Sequence, residues 1–389
     1  MHIATLQALL SPGGRALLGL LEQEYDGGSA LALSDRLRRE HPAELVAAAM
    51  TQLDLRRRAR DKFGADAGVM MFTPDALEQA TRRRVARHRA GRLREHGVTS
   101  LLDLGCGIGG DLVAAARAGI AVVGVERDPL RAELARVNLT ALGLAGEVVV
   151  GDVVDQDRGG FDAVFADPAR RDATRRVFDP EAYSPSWSFV RELQTGASCV
   201  KVAPGIPHDL LDDAIEAEWV SDGGELKEAA LWSGRLAGVR RRATVLPAAV
   251  TMTEADDPGG AVVGGPQAFV YEPDPAVIRA GLVTAVAALV GGTLLDPRIA
   301  YVTGPRRVDT PFARGYRVTD TLPFREKALR AALRERGIGV LTIKKRGVDI
   351  TPELLRKRLA LHGDATATII VTRLSGKAAV LLVDPLPSR

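Results

Sequence analysis

One stretch limits what this chain can fold into more than any other: Leu101-Leu102-Asp103-Leu104-Gly105-Cys106-Gly107-Ile108-Gly109-Gly110-Asp111. An apolar strand runs into a glycine turn, and the turn opens a helix. Glycine admits backbone conformations closed to other residues and lets a ligand come close. The helix start adds unpaired N–H groups. The flanking pattern agrees with this reading. Short apolar segments at 99–104, 120–126, 147–151, 161–166 and 197–203 alternate with helical patterns at 109–118, 129–142, 186–195 and 207–215. Such βαβαβ order predicts an α/β architecture with a parallel, doubly wound sheet. Two or three more strands are expected within 217–250.

The chain has 389 residues, too many for one ordinary domain. Residues 1–95 read as a helical N-terminal region, because Leu-rich runs recur near helical spacing. Thr73-Pro74-Asp75 is a cap-proline-acid start for a helix reaching about Glu95. Residues 96–250 hold the glycine turn, and the Gly-, Pro- and acid-rich residues 251–275 read as a linker. Residues 276–389 then form a smaller α/β domain. It has a helix at 276–290, strands near 299–303, 314–319 and 338–344, helices at 324–336 and 352–361, and a hairpin of 366–373 and 377–383.

Charge is unevenly spread. Residues 1–95 hold 16 Lys and Arg against 12 Asp and Glu, and residues 96–250 hold 16 against 23. Residues 276–389 hold 20 against nine, a net +11. A basic flank on either side of an acidic middle suits an anionic partner, and equally a solvated arginine-rich surface. The two cysteines cannot build a disulfide framework, so a reduced, cytoplasmic protein is expected. Met1–Leu10 lacks the pattern of a secretory leader, and the apolar run 276–290 is too short to span a bilayer. The six histidines show no metal-ligand spacing with cysteine, so no metal is expected.

The turn alone fits any nucleotide-type cofactor. Three acids narrow it. Glu126 ends the next strand and can take both hydroxyls of a ribose. Asp103 stands just before the glycines, where a carboxylate suits the ammonium of a methionine moiety. Asp152 ends the third strand, where a side chain can read an adenine amino group, and Asp167-Pro168 ends the fourth. This set resembles the class I methyltransferases dependent on S-adenosylmethionine, with their Rossmann-like sheet. The resemblance implies that cofactor, with Asp103, Gly105, Gly107 and Gly109 along its amino-acid and sugar portion, Glu126 at the ribose and Asp152 at the adenine. It also implies that the helix after Met71 covers the methionine end, which makes Phe72, Thr73 and Gln79 candidate contacts.

Asp167-Pro168-Ala169-Arg170 occupies the place of the family's Asp/Asn-Pro-Pro-Tyr motif but departs from it, with Ala and Arg in the last two positions. The missing aromatic ring speaks against adenine N6 as the target. Asp-Pro-Pro-Arg variants occur among RNA methyltransferases. Asp167, Pro168 and Arg170 are therefore the candidate catalytic residues, and Arg171, Arg175 and Arg176 extend a basic loop able to grip phosphate. Arg82, Arg83, Arg84, Arg87, Arg89, Arg92 and Arg94 upstream, and Lys344-Lys345-Arg346 with Arg356-Lys357-Arg358 downstream, invite either RNA contact or plain solvation. Cys106 and Cys199 read as packed residues rather than nucleophiles.

Over its whole length the chain resembles a bacterial group of these enzymes with a THUMP-like C-terminal domain. The resemblance rests on Phe72–Thr81, Asp167–Ser186 and Ile343–Val348. THUMP domains belong to RNA-modifying enzymes, so tRNA or rRNA is the implied acceptor. A small molecule or protein as acceptor, or an inactive module that only binds the cofactor, stays open at this stage.

Overall fold

The computed structural model describes residues 1–25, 30–170, 183–260 and 262–387. The chain divides into two compact units, Met1–Ile215 with Ala230–Gly238, and Glu216–Ala229 with Val239–Arg389. Among the described residues no helix is long and apolar enough to cross a membrane.

The first unit opens with helices: α1 Ile3–Leu10, α2 Pro12–Glu24, α3 Ala30–Leu37, α4 Ala43–Phe63, α5 Pro74–Gln79 and α6 Arg83–Glu95. Their leucine faces form one core, which also takes in Ile108 and Leu134 from the part that follows. The expected helix from Pro74 to Glu95 is two helices. The break falls where Lys62 donates to the carbonyls of Leu77 at 2.7 Å and Ala80 at 3.3 Å, which ends α5 early.

Next come β1 Ser100–Leu104, α7 Gly110–Arg117, β2 Ala121–Glu126, α8 Pro129–Ala141, β3 Glu147–Val150 and β4 Ala163–Ala166. The two-residue strands β5 Ala169–Arg170 and β6 Tyr183–Ser184 follow, then α9 Trp187–Leu193 and β7 Ser198–Val202. Strands β7, β4, β1, β2 and β3 lie in that order and pair in parallel throughout. Chain order therefore reverses direction at β1, and ligands bind such sheets at the strand ends beside this switch. The helix expected over 207–215 is a single short turn, His208–Leu210. Pro204, Gly205 and Pro207 crowd its start, and Asp212-Asp213 follow without an apolar stripe.

The second unit starts with β8 Glu216–Asp222, and β9 Glu225–Trp232 carries the chain back into the first unit. It resumes with β10 Arg241–Leu246 and β11 Val250–Thr253. β10 pairs in parallel with β8 and antiparallel with β11. The expected linker 251–275 thus begins inside a strand, contains another, β12 Phe269–Pro273, and ends at the start of a helix. The chain changes unit at Glu216 rather than at 251. The expected helix 276–290 is split into α10 Pro275–Arg279 and α11 Val283–Leu289. Gly281, at φ 70°, turns the chain between them. Then come β13 Thr293–Asp296, β14 Ile299–Gly304, β15 Ala313–Pro323, α12 Glu326–Glu335, β16 Ile338–Lys345, α13 Pro352–Leu359, β17 Ala365–Leu374 and β18 Lys377–Pro385. Seven of these strands form one sheet in the order β13-β14-β12-β15-β18-β17-β16. Leu329 and Leu333 of α12 and Leu355 and Leu359 of α13 share a core with Ile369, Val371 and Val380 of that sheet.

Candidate functional site

The site is built at the ends of β1, β2, β4 and β7. Gly105, Gly107 and Gly109 take φ values of 91°, 57° and 85°, the left-handed region that a side chain resists. Gly109 is needed for packing as well: a Cβ there would come within 3.4 Å of the Ala135 backbone on α8. The amides of Gly105 and Cys106 both bond the Val125 carbonyl, at 2.9 and 3.0 Å, tying the turn to β2. The carboxylate of Glu126 accepts the Gly107 amide at 3.0 Å and the Asp128 amide at 2.9 Å. It therefore fixes the turn with part of its hydrogen-bonding capacity.

Asp103 lies buried on β1, and neither of its carboxylate oxygens has a hydrogen-bond partner. Burial above all, and then the like charges of Asp111 and Asp167, hold its carboxyl well above the usual carboxylate range. Arg89 works in the opposite direction. Its buried guanidinium pairs with Asp111 and stacks 4.4 Å from the centre of the Phe165 ring. A buried polar group without a partner is rare in a native fold and asks for one from outside the chain.

Asp167 follows β4, half-exposed, and its Oδ2 pairs with Lys201 Nζ of β7 at 2.5 Å. The same ammonium reaches Thr81 Oγ1 at 3.2 Å. Pro168 is buried beside it. The backbone of Arg170 pairs in β5 with Tyr183 of β6. Arg171, Arg175 and Arg176, and most of the Asp167–Ser186 stretch, lie outside the described residues.

Asp152 is exposed beyond β3, where its side chain accepts the Val154 amide at 3.2 Å. Thr73 caps α5 by accepting the Ala76 amide at 3.3 Å. Gln79 is exposed and accepts from Arg131 at 3.2 Å. Phe72 departs from expectation. Its ring is fully buried against Phe63 at 5.5 Å, and its amide and carbonyl both bond Gln52, at 3.0 and 2.7 Å. Its ring packs in the helical core, and its backbone ties the segment to α4. Both cysteines are buried, and burial pushes the Cys106 thiol far up.

Three residues that hold these segments together escaped the sequence reading. Asn138 of α8 accepts the Met71 amide at 2.7 Å and donates to the carbonyls of Met71 at 3.2 Å and Ile108 at 3.0 Å. It stitches the segment before α5 to the glycine turn. Gln52 ties Phe72 to α4. Lys201 supplies the cation beside Asp167. For Lys201 the signal was a charge inside the apolar run Cys199-Val200-Lys201-Val202, while Asn138 and Gln52 sit among other polar residues of their helices and gave none.

Comparisons with known proteins give the family. Residues 68–178 match the profile of the methyltransferase small domain, residues 313–385 a THUMP domain-like profile, and residues 2–59 a domain of unknown function. An uncharacterised S-adenosylmethionine-dependent methyltransferase of Mycobacterium tuberculosis, found in strains CDC 1551 and H37Rv, is 39% identical over 334 residues. That match covers 82% of this chain and 90% of the relative. This chain belongs to the S-adenosylmethionine-dependent methyltransferases. A crystal structure from Porphyromonas gingivalis W83, described as a methyltransferase, shares the fold, with a TM-score of 0.75 and 23% identity. It covers 93% of this chain and 100% of that one. The donor set suits the methyltransferase cofactor: the orphaned oxygens of Asp103 are what a methionine ammonium would satisfy, and the turn leaves its backbone open to close approach.

The methyltransferase's upstream arginines are mostly committed elsewhere. Arg82 pairs with Asp61 at 2.8 Å and Arg83 with Asp66 at 3.6 Å, and Arg94 bonds the Val98 carbonyl at 3.1 Å. Arg92 is buried 4.1 Å over the Trp232 ring, and Arg89 is buried on Asp111. Arg84, Arg87 and Arg94 of that run are exposed. Of the seven arginines that invite either RNA contact or solvation, Arg89 and Arg92 are thus buried scaffolding.

Proposed function

We propose that this methyltransferase modifies RNA, with the acceptor base held at Asp167. The THUMP-like match over residues 313–385 carries the RNA part of the reading. In that region Arg325, Lys327 and Lys357 are exposed on and beside α12 and α13. Arg334 instead bonds the Ala360 carbonyl at 2.8 Å, at the C-terminal end of α13. Contacts of the exposed set to phosphate would add affinity without sequence preference.

On the donor side, Asp103 would take the methionine ammonium, and Gly105, Gly107 and Gly109 would let the backbone lie against the ligand. Glu126 would use its remaining lone pairs for ribose hydroxyls, and Asp152 would read the adenine edge. Thr73 and Gln79 would flank the methionine end. When bound, the cofactor supplies an electrophilic methyl group for in-line transfer. The protein's share is to orient the acceptor and exclude water. Asp167 would accept a hydrogen bond from a nucleobase nitrogen and so aim its lone pair at the methyl, with Pro168 stiffening the loop and Arg170 near enough in sequence to hold a phosphate.

The test is binding of bulk tRNA from a strain lacking the gene, followed across a salt series. The expected result is a steep loss of affinity with salt, and Lys327→Ser with Lys357→Ser should lower the slope by about 1–2. No measurable binding at low salt would overturn the RNA reading.

A further inference from the structure

Lys201 is the cation beside Asp167. Its strand is otherwise buried: Ser198, Cys199, Val200 and Val202 are each under 5% exposed. Placing an ammonium in such a strand costs stability unless a partner compensates it. Among the described residues Lys201 makes two such contacts to different parts of the site. One is Asp167 Oδ2 at 2.5 Å, with the Lys201 side chain 18% exposed and that of Asp167 33%. The other is Thr81 Oγ1 at 3.2 Å, in the break between α5 and α6. Thr81 in turn lies over the glycine turn: its carbonyl is 3.8 Å from where a Cβ on Gly110 would stand.

β7 lies beside β4, with Val200 opposite Ala166, so the ammonium approaches Asp167 from the neighbouring strand of a rigid sheet. A second cation, Lys62, is near enough to feel the charge of Lys201. It is held on the carbonyls of α5 and leaves Asp167 to Lys201.

We propose that Lys201 is a positioning residue for methyl transfer: it clamps one oxygen of Asp167, leaves the other for the acceptor, and ties that carboxylate through Thr81 to the segment over the cofactor turn. This rests on the reading of Asp167 as the acceptor-side group. It requires no proton or electron from Lys201, which acts through Asp167.

The experiment measures tritium transfer from labelled S-adenosylmethionine into an unfractionated lysate of a strain lacking the gene. The full chain is compared with Lys201→Met, Lys201→Arg, Asp167→Asn and the double variant Lys201→Met/Asp167→Asn. Binding of S-adenosylhomocysteine is followed by calorimetry on the same proteins. Lys201→Met should lose about 10²-fold in kcat with the KM for cofactor within about threefold, because the loss is one of aim rather than of binding. Lys201→Arg should recover all but about tenfold. The double variant should be no slower than Asp167→Asn alone, since the two act as one unit.

A full rate in Lys201→Met would overturn the proposal, as would additive losses in the double variant. Equal losses in Lys201→Met and Lys201→Arg together with lost S-adenosylhomocysteine binding would mark Lys201 as merely structural and overturn it too. Should Lys201→Met fail to fold, the comparison of Lys201→Arg with Asp167→Asn decides: a Lys201→Arg enzyme as slow as Asp167→Asn overturns the clamp. The RNA reading fails separately, if the label resists nuclease while the Lys201 pattern holds.

Discussion

Asp103 on β1 and Asp167 after β4 stand at the ends of adjacent strands, yet among the described residues only Asp167 forms an ion pair within its own chain. Asp103 is buried, unbonded, and pushed toward its neutral form by its surroundings. The contrast separates two uses of a carboxylate. Where a side chain has to point in one direction, the fold supplies the counter-charge and the direction together. Where a ligand is to bring the counter-charge, the fold leaves the group unpaired and carries the cost until the ligand arrives.

The largest effect that would break this contrast is on the acceptor side. Asp167→Ala should lower kcat by about 10²–10³-fold while S-adenosylhomocysteine binding stays unchanged in calorimetry. A parallel loss of binding would mean that both acids serve the donor. On the donor side, Asp103→Asn should weaken S-adenosylhomocysteine binding by about 10–10²-fold, the worth of a charge-assisted hydrogen bond.

The same substitution should stabilise the cofactor-free fold, and the sign follows from protonation. The folded chain binds the Asp103 proton more tightly than the unfolded chain does. The stability this group lends is therefore full below about pH 4, the range of an unfolded aspartate, and drains away as pH rises toward neutrality. Thermal melting should show Asp103→Asn level with wild type near pH 4 and ahead of it by pH 7. A constant gap across that range would remove Asp103 from the ledger of unpaired charges.

Asn138→Ala comes next. It strands the Met71 amide and the Met71 and Ile108 carbonyls, and urea unfolding should register a loss of about 2–4 kcal/mol. The smallest effect is expected of Thr81→Val, which removes one 3.2 Å contact to Lys201. It should cost about 0.5–1.5 kcal/mol in stability and leave the rate within about tenfold.

The parallel sheet, the glycine turn and the acids at the strand ends were legible because each rests on local pattern: apolar runs of strand length, glycines at fixed offsets, and polar residues where the runs stop. What escaped depends on which way a side chain faces once helices are packed. The arginine run 82–94 reads as a basic surface, yet Arg89 and Arg92 turn inward onto Phe165 and Trp232, partners far away in sequence. Phe72 sits in the right segment for a ligand contact but faces the helical core. Lys201, Asn138 and Gln52 were passed over because a polar residue inside a strand or helix gives no hint of a partner far away in sequence. The breaks at Ala80 and Gly281 were missed for a related reason: the Lys62 side chain that ends α5 lies 15 or more residues upstream, and an isolated glycine in a helical run often passes without a break.

The amide of Asn138 has a consequence for how such a gene can be cut and recombined. It binds Met71 and Ile108 at once, and Ile108 and Leu134 sit in the core formed by the first helices. The catalytic half is therefore not an interchangeable cassette beginning at residue 96. A version trimmed to that point would lose two of the three partners of Asn138 and bare the flank of the cofactor turn. Any exchange of acceptor-recognition parts between relatives has to keep the helical leader and its turn as a single inherited block.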